Sequence, residues 1–202
     1  MGIFQIIIQK MSEEKSRVHM PNLIEVLFNK DDLPSGVFEV VDIILGKLYK
    51  LADSDEAYLP TNMKLQKLLY YAQGYNLGYF GSKMFDGEFQ AWVNGPVVPS
   101  VYQQFKYYGT SVIAKSEIRG FANKELTNSR IMIIAAVARE YGRISPYNLS
   151  EMTHADGTAW KKTRRMYNLA DSEPSQHVIP VRFIQEEFRG KELKGITING
   201  RS

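Results

Sequence analysis

The sequence contains no cysteine, which excludes disulfides, thiolate nucleophiles and cysteine-ligated zinc within its 202 residues. It also lacks a Walker phosphate loop, a G-x-S-x-G elbow, an H-E-x-x-H pair and the glycine fingerprint of a dinucleotide site. The three histidines, His19, His154 and His177, lie far apart along the chain, so a histidine-based metal centre has little support. We therefore expect no metal, no cofactor and none of the common catalytic centres.

A strong charge of either sign is absent as well. The chain has 25 lysines and arginines against 22 aspartates and glutamates, a net charge of +3, and this excess tolerates an acidic partner without requiring one. The apolar segment 2–8 is too short to span a bilayer and lacks a basic lead-in. With 44% hydrophobic residues, the composition is typical of a folded globular protein, and we expect it to act in the cytoplasm without a membrane partner.

Helical periodicity dominates the rest of the chain and predicts a mainly α (α+β) fold. Apolar residues recur at helical spacing from about Gly36 to Ala52. A second helix of about five turns, capped by Thr61 or Asn62, is apolar nearly all round, and such a helix must be surrounded by protein. We therefore expect a compact helical domain around this central helix. Further helices are predicted from Pro99, over Arg130–Tyr141, over Pro146–Met152, over Thr158–Tyr167 and from Pro180 to Phe188.

One small antiparallel β-hairpin is predicted between the central helix and Pro99. The dipeptide Asp86-Gly87 separates two short runs of strand-forming residues, and a two-residue Asp-Gly loop suits a type I′ turn. Asn94-Gly95 is expected to end the second strand. Gly95-Pro96 and Pro99 then direct the chain into the next helix, because proline fixes φ and fits the first helical turn.

Two functional hypotheses rest on the residues between Pro146 and Tyr167. His154 could act as a general base with Glu151 or Asp156, or it could simply stack on Trp160. The segments Pro146–Met152 and Thr158–Tyr167 are also laid out like a helix-turn-helix, although the connecting turn is long and Trp160 and Met166 need burial. The cations that would contact DNA are Lys161, Lys162, Arg164 and Arg165.

Several motifs follow one another in an order that resembles a known domain. They are K-L-Q-K-L-L-Y-Y-A-Q at 64–73, G-Y-F-G at 78–81, F-Q-A-W-V-N-G-P-V-V-P-S-V-Y at 89–102, Y-Y-G at 107–109, and then L-S-E-M-T-H at 149–154 followed by Trp160. This order resembles the Panacea domain of the SocA-like or GepA-like group, which comprises antitoxins and phage-associated proteins. On this resemblance we expect an N-terminal extension over residues 1–35, a Panacea-like domain over 36–190 and a tail over 191–202.

The resemblance implies a cytoplasmic bacterial or prophage antitoxin rather than an enzyme. Its partner would be a cognate protein toxin encoded by a neighbouring gene, neutralised by direct binding or, as in the SocA type, delivered to a cytoplasmic protease. DNA binding through autoregulation is an additional possibility and the alternative function.

The residues selected as partner contacts belong to the resembling segments. Tyrosine and tryptophan are favoured at interfaces, and a proline-set corner loses little entropy when a partner docks. The alternative interpretation is that these residues only build the core and shape the fold. The selected residues are Tyr70, Tyr71, Gly95, Pro96, Val97, Pro99, Tyr102, His154 and Trp160.

Overall fold

The computed structural model describes residues 35–119 and 126–196, all within one unit of the chain. The fold class is confirmed, since the described part is mainly α with one small antiparallel hairpin. In chain order the elements are β1 (Ser35–Gly36), α1 (Val37–Ala52), α2 (Asn62–Phe80), β2 (Phe85–Asp86), β3 (Gln90–Trp92), β4 (Gly95–Val97), α3 (Pro99–Phe105), α4 (Asn128–Tyr141), α5 (Pro146–His154), α6 (Ala159–Met166) and α7 (Val181–Phe188).

Helix α2 is the centre of the fold. It begins where the Thr61 hydroxyl accepts a hydrogen bond from the Lys64 backbone N–H, and it ends at Gly81, whose φ of 74° is left-handed. Every residue from Lys64 to Leu77 is buried, because α1, α4, α5 and α7 all pack against this helix. The prediction of a helix enclosed by protein on all sides is therefore confirmed.

The hairpin exists, but its predicted turn is wrong. β3 pairs with β4 in antiparallel register, so the turn is Val93-Asn94 rather than Asp86-Gly87. Phe85 and Asp86 instead form β2, which runs parallel to β1. The reason is tertiary: Phe85 is fully buried, and its backbone N–H donates to the side chain of Gln73 on α2. The hydrogen bond to Gln73 takes the place of the strand-to-strand hydrogen bond that a hairpin turning at Asp86-Gly87 would have required.

The two ends of the chain lie largely outside the described residues. The predicted extension 1–35 is described only at Ser35, and the predicted tail 191–202 only as far as Ile196. The described start of that tail packs on the core, because Leu193 is buried and its backbone N–H donates to the Tyr79 hydroxyl at 2.7 Å. Over the described ranges, no helix has both the length and the apolarity needed to cross a membrane.

Candidate functional site

The turn of the β3–β4 hairpin makes a close contact with α2 and α5. Gly95 has a φ of 97°, and a Cβ atom at this position would lie 2.5 Å from Thr153 Oγ1 and 2.7 Å from Lys67 Nζ. Lys67 Nζ donates to the carbonyl oxygen of Pro96 at 3.2 Å. Glycine is required here twice, once for the left-handed backbone and once for the space that the lysine occupies.

Two amide side chains of α2 hold the chain after the hairpin. Gln66 accepts a hydrogen bond from the Val98 backbone N–H at 2.8 Å and donates to Asn62 at 3.3 Å. Asn62 in turn donates to the Tyr102 carbonyl oxygen at 3.1 Å. These bonds attach both the end of β4 and the first turn of α3 to the central helix, so the corner between them is fixed by contacts within the protein.

A cavity of about 470 Å³ opens beside this corner. We call it the Lys67 cavity. The rings of Trp92 and Tyr102 meet edge to face across 4.9 Å, which gives it an aromatic wall. It is lined by Asn62, Met63, Gln66 and Lys67 of α2, by Trp92, Val93, Asn94 and Val97 of the hairpin, by Tyr102, Lys106 and Gly109, and by Pro174, Ser175 and Gln176.

Lys67 is the unusual side chain of this cavity. The residue is only 1% exposed, and the part of the chain that the structure describes provides it with no ion pair. Desolvation by burial lowers the pKa of Lys67 to about 7, because an ammonium is costly away from water. The pKa of this amine therefore lies near neutral pH in the folded protein.

Most of the residues selected as partner contacts are buried. Tyr70 is fully buried and donates to Glu187 on α7, and Tyr71 stacks on Tyr141 with ring centroids 4.1 Å apart. Gly95, Pro96, Val97 and Trp160 are also buried, whereas Pro99, Tyr102 and His154 are half-buried. Only Val97 and Tyr102 of this set line the Lys67 cavity.

His154 has the packing environment of a structural residue. It stacks on Trp160 with ring centroids 3.9 Å apart, and its Nδ1 lies 3.8 Å from the nearest oxygen of Glu151. Desolvation lowers the pKa of His154. His154 lines neither the Lys67 cavity nor a second cavity of about 310 Å³ between α2, α4 and α7. Asp156, the other proposed partner, pairs with Arg165 at 2.8 Å instead.

The cations of α6 are already engaged within the protein. Arg164 is fully buried, contrary to its assignment as a DNA contact, and donates to the carbonyl oxygens of Ala91, Ala170 and Glu173. The three others pair with carboxylates: Lys161 with Asp171, Lys162 with Glu186, and Arg165 with Asp156. The expected burial holds for Trp160, but Met166 is 45% exposed. Of these four cations of the described α6, Arg164 is therefore inaccessible at the surface, whereas Lys161, Lys162 and Arg165 are held in ion pairs.

Lys67 and Trp92 were missed as site residues by sequence reasoning. The available signal was a lysine at the second turn of an otherwise apolar helix, surrounded by Leu65, Leu68 and Leu69. Lysine is almost never fully buried unless it is paired, so a lysine on a helix that is otherwise enclosed by protein is an unusual residue. Across the described residues, no cluster of three or more potential ligands is placed to hold a metal ion.

Comparisons with known proteins match the same part of the chain. Residues 65–161 match the family model described as Antitoxin SocA-like, Panacea domain. This segment is Panacea-like. The predicted resemblance is thus confirmed, and the segment includes the hairpin, α3 and Lys67 but not the cavity residues Asn62, Met63 and 174–176.

One relative supports the same assignment. The chain is 32% identical over 112 residues to Antitoxin SocA of Caulobacter vibrioides (strain NA1000 / CB15N). That alignment covers 50% of this chain and 57% of SocA, so the chain spans little more than half the length of its relative. No solved structure matches the chain.

Proposed function

We propose that this protein is an antitoxin that neutralises a cognate protein toxin by binding it directly. The observation that carries the proposal is the match of residues 65–161 to the SocA-like Panacea model, together with the identity to Antitoxin SocA. We propose that the toxin is encoded by a neighbouring gene and that the pair acts in the cytoplasm of a bacterium or as part of a prophage. The work of the protein on this proposal is binding, not turnover.

The geometry of the corner supports a binding role. The hairpin and the first turn of α3 are held by Gln66, Asn62 and Lys67 on a helix that is packed on every side. A surface fixed in this way loses little conformational entropy when a partner docks. Trp92 and Tyr102 are half-buried at this corner and offer aromatic edges of the kind that dominate protein–protein interfaces.

The test is co-expression with the product of the adjacent reading frame. We expect growth to be rescued and the two proteins to co-purify. Tyr102→Ser, at a residue that lines the Lys67 cavity, should weaken the complex about tenfold or more if the corner makes the contact. Tyr147→Ser is the matched control, since Tyr147 is 69% exposed on α5 and lines neither cavity. An adjacent product that is harmless when expressed alone would refute the proposal.

The amount of toxin that remains in the cell distinguishes two modes of neutralisation. Blockade leaves the toxin present and bound, whereas delivery to a cytoplasmic protease removes it. Toxin half-life should therefore be unchanged by co-expression under blockade and shortened under delivery. We propose that blockade is the basic mode. The corner is held in place by contacts within this protein, so binding of the toxin does not require a third protein.

A further inference from the structure

Lys67 is a buried lysine that lines a cavity, and the described residues provide no opposite charge to balance its ammonium group. Lys67 Nζ has three donor positions when protonated, and the hydrogen bond it makes is to the Pro96 carbonyl oxygen. The described residues that line the Lys67 cavity include a second cation, Lys106, but neither aspartate nor glutamate. Charge complementarity therefore favours an anionic occupant.

The remaining walls limit what kind of anion fits. Trp92, Val97 and Met63 present apolar or aromatic surface next to the lysine. The amides of Asn62 and Gln66 already hold the backbone of α3 and β4, so they have less capacity to surround a highly charged group. Lys67 is the one buried lysine of this apolar setting, since Lys106 is exposed, and a single buried lysine suits a singly charged group on an apolar stem, whereas a phosphate is normally held by several donors.

We propose that the Lys67 cavity is a binding site for an apolar carboxylate, with the Lys67 ammonium as its counter-ion and the Trp92–Tyr102 wall as the contact for its apolar stem. The carboxylate belongs either to a small organic acid or to a glutamate or aspartate side chain within a peptide. This proposal stands on the cavity alone and does not depend on the antitoxin function.

The groups that face Lys67 from the surrounding elements make the site cationic or neutral. Lys64 lies one turn earlier on α2 and donates to the Ala57 carbonyl oxygen, Lys106 lines the cavity, and His154 lies on α5 close enough to interact with Lys67. The lowered pKa of Lys67 follows from burial alone. An entering carboxylate should raise that pKa, so binding above neutral pH should take up a proton.

The experiment is calorimetry with two probes of the same shape, 3-phenylpropionate and the neutral 3-phenylpropanamide. On the unmodified protein at pH 7.0 we expect the acid to bind at least about tenfold more tightly than the amide. At pH 8.0, titrations in two buffers of different ionisation enthalpy should show uptake of close to one proton per carboxylate bound. Equal affinity for the two probes, or binding of neither probe, would overturn the proposal.

Variants assign the effect to the lysine. Lys67→Met should remove both the preference for the acid and the proton uptake. Lys64→Met is the matched control, because Lys64 is also buried on α2 but does not line the cavity, and it should retain both. If Lys67→Met does not fold, the proton uptake of the unmodified protein at pH 8.0 still tests for a cavity amine whose pKa is about 7, as that of Lys67 is, and its absence would contradict the proposal. A preference that survives Lys67→Met in a folded protein contradicts the proposal.

The source of the carboxylate is decided by a second pair of probes. The peptides acetyl-Phe-Glu-Phe-amide and acetyl-Phe-Gln-Phe-amide differ only in the charge of the central residue. Tighter, Lys67-dependent binding of the glutamate peptide than of 3-phenylpropionate assigns the site to a polypeptide, and the reverse order assigns it to a small acid. Both results support the shared chemistry, whereas an acid and an amide that bind alike refute it whatever the order of the peptides.

Discussion

Gly95 is the residue on which the corner between the hairpin and α3 depends. A Cβ atom at Gly95 would lie closer to Thr153 and Lys67 than van der Waals contact allows. The backbone φ of 97° is also one that residues other than glycine rarely adopt. We expect Gly95→Ala to lower the free energy of unfolding by about 3 kcal/mol. Gly157→Ala is the control, since Gly157 also has a positive φ but no described residue other than its chain neighbours lies within 4 Å of its Cβ position. It should cost about 1 kcal/mol, and equal losses in urea titrations would contradict this account.

Arg164 and Arg165 are neighbours in sequence with opposite environments. Arg164 is buried and serves three backbone carbonyl oxygens, whereas the Arg165 side chain is 62% exposed and pairs with an exposed aspartate. We expect Arg164→Met to cost about 3 kcal/mol, because buried acceptors lose their donor. Arg165→Met should cost under about 1 kcal/mol, as exposed ion pairs contribute little. Chemical denaturation of the two variants checks the difference, and the reverse order would show Arg164 to be a surface cation.

Between elements, the contact of α2 with α7 depends on two glycines one turn apart. A Cβ atom at Gly78 would lie 2.5 Å from the backbone oxygen of Phe188, and one at Gly74 would lie 2.4 Å from the Phe188 ring. We expect Gly78→Ala to destabilise the protein by about 2 kcal/mol, since a backbone atom cannot move aside as a side chain can. The measurement is the midpoint of urea unfolding.

Gly46 supplies the matched control for that prediction. It also lies within a helix, α1, but apart from that helix's own backbone no described residue approaches within 4 Å of its Cβ position. Gly46→Ala should therefore stabilise the protein by about 1 kcal/mol through helix propensity alone. Two substitutions of the same chemistry are thus expected to have opposite signs. Stabilisation by both would mean that α7 is held less closely to α2 than the structure indicates.

The elements themselves were predictable to different degrees. Helices such as α2 followed from apolar periodicity and from local caps, including Thr61 and Thr158, whose hydroxyls accept the expected backbone hydrogen bonds. The hairpin turn was misplaced because Asp86-Gly87 is a strong local signal that long-range burial of Phe85 overrides. The glycine pair of α2 carried a usable signal, since residues four apart share one helix face.

At the scale of the whole molecule, the site could not be predicted because its walls come from distant parts of the chain. Lys67 and Trp92 are separated by 25 positions, and the segment 174–176, which also lines the cavity, lies much further along the chain. Sequence reasoning found Val97 and Tyr102 through the resemblance, but it did not select Lys67. Burial is a property of the assembled fold, so the pKa of this lysine could not be predicted from its neighbours in sequence.

That burial makes the stability of the molecule depend on pH in a direction that can be derived. The pKa of Lys67 is about 7 in the folded state, against 10.5 for an unperturbed lysine. Between these values the unfolded chain holds a proton that the folded protein has largely released, so the free energy of unfolding rises with pH. Burial raises the pKa of Tyr71 and of Tyr75 above 10. Above pH 10 the unfolded chain loses these protons first, and stability falls.

We therefore expect stability to rise by about 2 kcal/mol from pH 7.5 to 9.5 and to decline above pH 10. Lys67→Met should flatten most of the rise, leaving the smaller contribution of Lys64, whose pKa burial also lowers. The decline above pH 10 should be the same in the variant, because it comes from tyrosines, and it serves as the internal control. Urea titrations across this range test both limbs. A rise that survives Lys67→Met would place the responsible amine elsewhere and remove the electrostatic basis for a counter-ion at the cavity.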